Sequence, residues 1–252
     1  MSLLRVRLSR ILTSTKMRQP RLYVSALASA AGEVVLSERN HHYLARVLRA
    51  RIGQTLELFD GEGQVAPATI HAIDKRQTVV IQETPHAMPD HRLPVTLGLC
   101  VIKSDRFDWA LQKATELGVT AITPVISAYT DSPPKGERLE KKVQHWQEIL
   151  VNACEQSENN WLPKLHPVTS LDALDFGDQQ AVFAHPETTT DAIDPTSPAW
   201  LLIGPEGGFD AHEVEMLLKK QVKPMALGPR ILRAETAAIV GLTLLGQRYG
   251  QY

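Results

Sequence analysis

The sequence predicts an α/β protein in which a small β-rich module precedes a larger domain built on a parallel sheet. Two observations predict this class. Residues 18–83 contain short strands separated by turn residues, which is typical of a small antiparallel sheet. From residue 95 onward, continuous apolar strands alternate with helical segments, which is typical of a parallel sheet covered by helices on both faces.

The composition excludes several classes of protein. The chain has 252 residues, of which 43% are hydrophobic and 22% charged, with a net charge of −1. This allows a sizeable core and argues against bulk adhesion to polyanions, but not against a local basic surface. Cys100 and Cys154 lack metal-type spacing, so we expect buried thiols, no disulfide scaffold and no metal. No apolar run approaches the roughly 20 residues that cross a bilayer, so we expect a cytoplasmic protein without membrane contact.

The first sixteen residues, MSLLRVRLSRILTSTK, are basic and lack acidic side chains. This composition fits either an organelle transit peptide or a short extension upstream of Met17. The extension is favoured, because Met17 followed by RQPRLYV resembles a natural start. We expect residues 1–16 to be weakly attached to the protein.

The β-rich module contains one predicted helix between Ser37, a plausible cap, and Gly53. Its apolar face has i, i+3, i+4 spacing and consists of Leu44, Val47 and Leu48. The opposite face carries His42, Arg46 and Arg49. The strands TLELF, QVAPATIHAI and TVVIQE follow, joined by the turns DGEG and DKRQ, and residues 85–94 form a proline-rich linker.

The larger domain begins with the strand VTLGLCVI and the helix FDWALQKATELG, which we expect to stop at Gly118. The strand AITPVI and a long helix over residues 136–157 come next. AVFAHP, WLLIGPEGG and PMALGPR predict further strands, and helices are expected at about residues 211–220 and 234–248. Ligands of such sheets bind beyond the carboxyl ends of the strands, so the turns AHPE, GPEGG and LGPRILR form the candidate site.

The turn GPEGG enters a helix for which Asp210 and Glu213 predict a capping box. It matches neither a phosphate loop nor the GxGxxG fingerprint, and on its own it is equally explained as a tight connection. Arg233 precedes the last helix, whose N-terminus disfavours a cation unless an anion is bound there. The alternative is a surface ion pair, either Arg230–Glu235 or Arg233–Glu206.

LLIGPEGGF followed by LGPRILRAETA resembles the ribosomal RNA small-subunit methyltransferase E family, part of the SPOUT superfamily of knotted methyltransferases. The resemblance runs from Met17 over nearly the whole chain and includes MRQPRLYV, HHYLARVLR, LFDGEG, QKATELGVTAITPVIS and NACEQS. It implies an N-terminal PUA-like RNA-binding β-barrel over residues 17–88 and a SPOUT α/β domain with a parallel sheet and a trefoil knot over residues 89–252. It also implies a homodimer.

The resemblance further implies that the knotted turns bind S-adenosylmethionine and that the enzyme methylates N3 of a uridine in 16S rRNA, within the small ribosomal subunit. Glycines in the turns would let the cofactor approach main chain that a side chain would cover. One departure is Asn159, where the family usually has a basic residue after CEQS. The implied cofactor contacts are His185, Pro186, Ile203, Gly204, Gly207, Gly208, Leu227, Gly228, Ile231 and Leu232.

Methylation at N3 requires loss of the N3 proton or stabilisation of the resulting anion, and it needs no metal. We expect Arg233 to stabilise the charge and Glu206 to position the substrate or remove the proton. Glu206 is equally explained as a brace for the turn. His185 is a further possible base, although a histidine before proline in a loop is more often structural.

The expected RNA-binding surface is basic. In the first module it comprises Arg18, Arg21, His42, Arg46, Arg49 and Arg51, and Lys103, Arg106 and Lys113 extend it in the second domain. A solvated helix face is the alternative explanation of the stripe, and Glu116 is expected to pair with Lys113.

Two other functions remain open from the residues. One is methylation at another RNA position by a knotted methyltransferase. The other is an RNA-binding or ribosome-assembly protein without catalysis, against which the intact GPEGG and LGPRILR motifs argue.

Overall fold

The structure of the protein is a computed structural model that describes residues 19–186, 193–194 and 196–251. Residues 1–16, expected to form an extension, and Arg18, expected to contact RNA, lie outside the described residues. The chain divides into two compact units. Among the described residues, the first unit comprises 19–60 and 64–87, and the second comprises 61–63, 88–186, 193–194 and 196–251.

The first unit contains a six-stranded mixed sheet in the order β1-β3-β4-β5-β2, with β6 paired to β4. The pair β1–β3 is parallel and the other pairs are antiparallel. The turns predicted at DGEG and DKRQ are confirmed, because they join the antiparallel pairs β3–β4 and β4–β5. The strands are β1 (Arg21–Tyr23), β2 (Gly32–Val35), β3 (Thr55–Phe59), β4 (Gln64–Ile73), β5 (Thr78–Gln82) and β6 (His86–Ala87).

The helical segment of this unit differs from the prediction. Helix α1 (Glu38–His42) is capped by Ser37 and continues as a π-helix over Tyr43–Leu48. Of the predicted apolar face only Leu44 is buried, whereas Val47 is 61% exposed and Leu48 is 39% exposed. The wider π-turn explains this, because it replaces the 3.6-residue period on which the predicted face depends.

The second unit contains a seven-stranded sheet in the order β10-β8-β7-β12-β11-β13, with β9 beside β8. Every strand pair is parallel, which confirms the predicted sheet type. The strands are β7 (Leu93–Cys100), β8 (Val119–Ile126), β9 (Lys164–Leu165), β10 (Thr169–Ser170), β11 (Gln180–Ala184), β12 (Ala199–Ile203) and β13 (Lys223–Met225).

The linker predicted over residues 85–94 is structured at both ends. Residues 86–87 form β6, and β7 begins at Leu93. Pro94 is tolerated in β7 because it lies at the start of the strand, where the register with β8 shifts between Leu93 and Thr96.

Helices cover both faces of the parallel sheet. In β12, Leu201 and Ile203 face a core that includes residues of three helices, α2, α3 and α5, whereas Trp200 and Leu202 face a second core that includes Leu217 of α4. This alternation with both faces buried is the one expected of a covered parallel sheet. The helices are α2 (Ser104–Glu116), α3 (Gly136–Ser157), α4 (Ala211–Lys219) and α5 (Ala234–Arg248).

Within the described residues, no helix combines the length and apolar character that a membrane crossing requires.

Candidate active site

The three predicted turns lie at one edge of the parallel sheet. Strands β12, β11 and β13 are neighbours in that order. Because both pairs are parallel, their carboxyl ends meet at the same edge, where α/β proteins bind ligands. The turn after β12 leads into α4, and the turn after β13 leads into α5.

A cavity of about 310 Å³, which we call the turn cavity, lies among these three turns. All ten implied cofactor contacts line it, namely His185, Pro186, Ile203, Gly204, Gly207, Gly208, Leu227, Gly228, Ile231 and Leu232. The cavity is also lined by residues to which the sequence analysis gave no cofactor contact: Ala184, Pro205, Glu206, Phe209, Arg230, Ala234 and Ala237.

The glycines of the turns differ in their backbone conformation and in the space around them. Gly208 and Gly228 have φ angles of +74° and +115°, and a Cβ at either would meet no atom within 4 Å. Positive φ and open space are what close approach of a ligand to the main chain requires. A Cβ at Gly204 would lie 3.2 Å from the carbonyl carbon of Gly208, and one at Gly207 would lie 3.2 Å from the ring of Tyr129. At Gly204 and Gly207 protein atoms already occupy the space of a side chain, so packing within the protein also explains these two glycines.

The predicted capping box at the start of α4 is present. Asp210 Oδ1 accepts from the Glu213 main-chain N–H at 2.7 Å, and Glu213 Oε2 accepts from the Asp210 N–H at 3.0 Å. The second oxygen of Glu213 accepts from the Ala128 N–H at 2.7 Å. One buried carboxylate therefore fixes both the turn after β12 and the loop after β8.

Glu206 is held by an arginine that the sequence did not pair with it. Arg106 of α2 donates from Nη1 to Glu206 Oε1 at 2.5 Å, and its Nε lies 3.9 Å from Glu235 Oε1. The guanidinium of Arg106, expected to bind RNA, thus joins α2 to the turn and to α5. Glu235 Oε2 is buried without a hydrogen-bond partner among the described residues. These contacts favour the bracing role of Glu206 over that of a free base.

Arg233 occupies the N-cap position of α5 and is exposed. Within the described residues its guanidinium has no hydrogen bond or ion pair. Neither alternative pair is formed, because Glu206 and Glu235 both face Arg106. An unpaired cation beside a positive helix end is the arrangement that an incoming anion would stabilise.

The main chain of His185 is hydrogen-bonded to the end of the neighbouring strand β13. Its main-chain N–H donates to Met225 O at 3.0 Å, and its ring contacts Phe183 edge-on at 5.8 Å between centroids. The residue lines the turn cavity while extending the pairing of β11 with β13.

The other predicted RNA contacts of the second unit differ in their surroundings. Lys103 is exposed and precedes α2. Lys113 pairs with Glu116 at 2.8 Å, as predicted from their spacing. The charge of Lys113 is thereby partly neutralised, whereas Lys103 has no ion-pair partner in the part of the chain that the structure describes.

In the first unit, His42, Arg46, Arg49 and Arg51 are exposed around the π-helix. Arg21 does not belong to this surface. Its side chain is 6% exposed, its Nε lies 2.6 Å from Glu57 Oε1, and its guanidinium lies over the ring of Phe59. A buried ion pair leaves no guanidinium for a phosphate, so the expectation for Arg21 is corrected.

Asn159, which departs from the family pattern, has a structural role in this chain. Its side-chain amide donates to Thr115 O at 3.3 Å, and its Oδ1 accepts from the Trp161 N–H at 3.0 Å. The residue therefore connects the end of α2 to the segment that follows α3.

Chemistry based on a thiolate nucleophile or on a metal ion has less support. Cys100 and Cys154 are buried free thiols, as expected, and burial raises the pKa of Cys100 to about 12, which disfavours a thiolate nucleophile. No group of three or more metal-ligating side chains occurs in the part of the chain that the structure describes. A larger groove of about 1090 Å³ lies at the β13 edge, away from the three turns and their charged residues.

Comparisons with known proteins agree with this geometry. Residues 89–246 match a family model described as an RNA methyltransferase domain, and residues 36–83 match an RNA methyltransferase PUA domain. A relative in Buchnera aphidicola subsp. Acyrthosiphon pisum, ribosomal RNA small subunit methyltransferase E, is 30% identical, and the match covers 95% of this chain and 99% of the relative.

Two solved structures are similar over almost their whole length. One, from Legionella pneumophila, is described as a methyltransferase with the bound cofactor S-adenosylmethionine; it is 30% identical, with a TM-score of 0.86 over 92% of this chain and 98% of that one. The other is ribosomal RNA small subunit methyltransferase E from Neisseria gonorrhoeae bound to S-adenosylmethionine, 30% identical, with a TM-score of 0.83 over 91% and 98% of the two chains.

The predicted fold class, a PUA-like N-terminal part followed by a parallel-sheet α/β domain of the SPOUT type, is confirmed by these matches. The trefoil knot stays a prediction. On the evidence of a near full-length relative and of a domain match over more than half its residues, the chain belongs to the ribosomal RNA small subunit methyltransferase E family.

Proposed function

We propose that the protein uses S-adenosylmethionine to methylate N3 of a uridine in the 16S rRNA of the small ribosomal subunit. The observation that carries this proposal is the turn cavity, around which all ten implied cofactor contacts lie. Family membership supports the reaction class, and the two relatives solved with S-adenosylmethionine support the cofactor.

The turn cavity fits the cofactor chemically. Gly208 and Gly228 leave main-chain groups uncovered at positive φ, so they would hold polar parts of S-adenosylmethionine through N–H and C=O groups. Ile203, Leu227 and Leu232 would hold its apolar parts. The bound cofactor supplies a methyl group already activated by a sulfonium, so the protein has no need of a metal for this step.

The remaining chemistry falls to the side chains around the uridine. N3 carries a proton in the neutral base, and its loss leaves negative charge on the ring. Arg233 is our candidate for stabilising that charge, because it is exposed beside the turn cavity and has no partner among the described residues. Glu206, held by Arg106, acts as a positioning residue that fixes the turn between α2 and the cavity.

We also propose a domain organisation for the chain. We assign residues 1–16 to an extension, 17–88 to the PUA-like RNA-binding domain and 89–252 to the methyltransferase domain, and the two family matches lie within the last two ranges. The trefoil knot and the homodimer rest on the family resemblance. We place the protein in the cytoplasm, because small-subunit rRNA is the proposed substrate.

Methyl transfer from labelled S-adenosylmethionine to purified small ribosomal subunits tests the proposal. We expect label in the RNA of small subunits that lack the modification and none in large subunits or transfer RNA. Calorimetry with S-adenosylmethionine separates an enzyme from a non-catalytic RNA-binding protein. A chain that does not bind the cofactor and does not label RNA would be the latter.

A further inference from the structure

A second cavity adjoins the turn cavity and is not used by the cofactor contacts. It measures about 200 Å³ and lies between the end of β7, the loop after β8 and the start of α3. Pro205 and Glu206 line both cavities. A molecule in the second cavity would therefore meet the turn cavity across the GPEGG turn.

An exposed aromatic ring is fixed at the wall of this second cavity. Tyr129 lines it and is 55% exposed. The ring packs against Gly207, where a Cβ would lie 3.2 Å from it. The neighbouring main chain is anchored on both sides, by Ala128 N–H to Glu213 at 2.7 Å and by Thr130 N–H to Ser127 O at 3.0 Å. A ring held in this way loses little conformational entropy when a ligand stacks on it.

The charge of the second cavity is positive. Lys103, Arg138 and Lys142 line it, and the acidic residues there are Asp131 and Glu206. Glu206 is already neutralised by Arg106, which is not among the three lining cations. Lys142 Nζ lies 3.3 Å from Ser104 Oγ, while Lys103 and Arg138 have no ion-pair partner within the described residues. Three cations against one unpaired carboxylate favour an anionic ligand.

We infer that the second cavity is the nucleotide pocket, in which Tyr129 stacks on the target base while Lys103, Arg138 and Lys142 bind the phosphates beside it. This inference rests on the proposed function and names the residues that hold its substrate.

The geometry of base methylation supports this assignment. N3 lies on the pairing edge of uridine, so the base must leave its stack or pair before the methyl group can reach it. Stacking on an aromatic ring holds the base by its face and leaves that edge free. Tyr129 lies against Gly207, and Pro205 and Glu206 form a wall that the two cavities share. The free pairing edge of the base can therefore face the turn cavity.

Three substitutions of Tyr129 test the stacking role in single-turnover methylation of small subunits that lack the modification. We expect Tyr129→Ala and Tyr129→Leu to lower kcat/KM by about 10-fold to 100-fold, and Tyr129→Phe to stay within about twofold of the parent, because stacking needs the ring. The affinity for S-adenosylmethionine should not change.

Tyr129→Leu keeps apolar bulk against Gly207, so parental activity in this variant would overturn the stacking role. An equal loss of cofactor affinity in all three variants would also overturn it. A parent protein that fails to methylate small subunits would contradict the proposed function instead.

The phosphate contacts are tested by the salt dependence of binding to small subunits. Each of Lys103→Ala and Arg138→Ala should reduce the slope of log affinity against log salt by about 1. Lys219→Ala is the matched control, since Lys219 is an exposed cation of α4 paired with Glu215, and it should leave the slope unchanged. Unchanged slopes for both pocket variants, or weaker S-adenosylmethionine binding, would overturn the assignment of the cations to RNA.

Discussion

Arg233 is a cation at a position where the helix that follows it favours negative charge. No described residue neutralises it, so its cost to the fold falls when an anion binds. Removing a donor aimed at developing charge costs about 10²–10³ in turnover. We therefore expect Arg233→Ala to lower single-turnover methylation by that factor with little change in S-adenosylmethionine affinity.

The matched variant Arg233→Lys should recover only part of the rate, because an ammonium keeps the charge but loses the planar fork. A rate near that of the parent in Arg233→Ala would remove Arg233 from the chemistry. If cofactor affinity fell and the rate at saturation did not, Arg233 would be a cofactor ligand.

Gly208 and its neighbour Gly207 give a second residue-level prediction. A side chain at Gly208 is strained at a φ of +74°, so we expect Gly208→Val to abolish S-adenosylmethionine binding. Gly207→Ala places its methyl against the ring of Tyr129, so it should lower methylation more than cofactor affinity.

Calorimetry and single-turnover kinetics on the two folded variants measure both effects. Parental cofactor affinity in Gly208→Val would show that the turn is tight for structural reasons alone. Equal loss of cofactor affinity in both variants would contradict the distinction between the two glycines.

At the scale of elements, α4 and the loop after β8 depend on one carboxylate. Glu213 completes the capping box and accepts the Ala128 N–H. Glu213→Ala leaves these donors unsatisfied, which we expect to destabilise the protein by about 1–3 kcal/mol. Denaturant unfolding measures this effect.

Glu215→Ala on the same helix is the control, because Glu215 is exposed and forms a surface ion pair with Lys219. This variant should change the free energy of unfolding by no more than about 0.5 kcal/mol. Similar losses in the two variants would mean that the capping box contributes nothing specific.

Elements with strong local signals could be predicted from the sequence. The helix over residues 136–157 and the capping box at Asp210 have the predicted bounds and partners. The π-helix could not be predicted, because nothing in HHYLARVLR distinguishes a wide turn from an α-helical one before the tertiary contacts are known. Strand β7 begins at Leu93, two residues before the predicted start, because a proline near the start of a strand resembles a linker.

The candidate site also contains residues that the sequence indicates and residues that it does not. The ten implied cofactor contacts come from the family resemblance, and they lie in three sequence motifs at the ends of adjacent strands. Arg106 and Glu206 are 100 residues apart, and Tyr129 reaches Gly207 from a different loop. Such pairs arise from the packing of the whole domain and leave no spacing signal in one sequence.

At the scale of the whole molecule, binding to rRNA has to occur although the net charge of the chain is −1. The exposed stripe of His42, Arg46 and Arg49 on the first unit provides a local positive surface. We expect Arg46→Ala combined with Arg49→Ala to weaken binding to small subunits and to reduce the salt slope by about 2, without altering S-adenosylmethionine affinity. A salt slope equal to that of the parent would mean that the stripe faces solvent only.

We expect this chain to place one methyl group on N3 of a uridine in small-subunit rRNA. Nucleoside mass spectrometry of 16S rRNA from a strain that lacks the gene, before and after incubation of its small subunits with the purified protein and S-adenosylmethionine, tests it most directly. We expect N3-methyluridine to be reduced in the deletion strain and restored by the protein, and we expect the Arg233→Ala variant to restore it far more slowly. Unchanged N3-methyluridine in the deletion strain, or a methyl group restored to a different nucleoside, would contradict it.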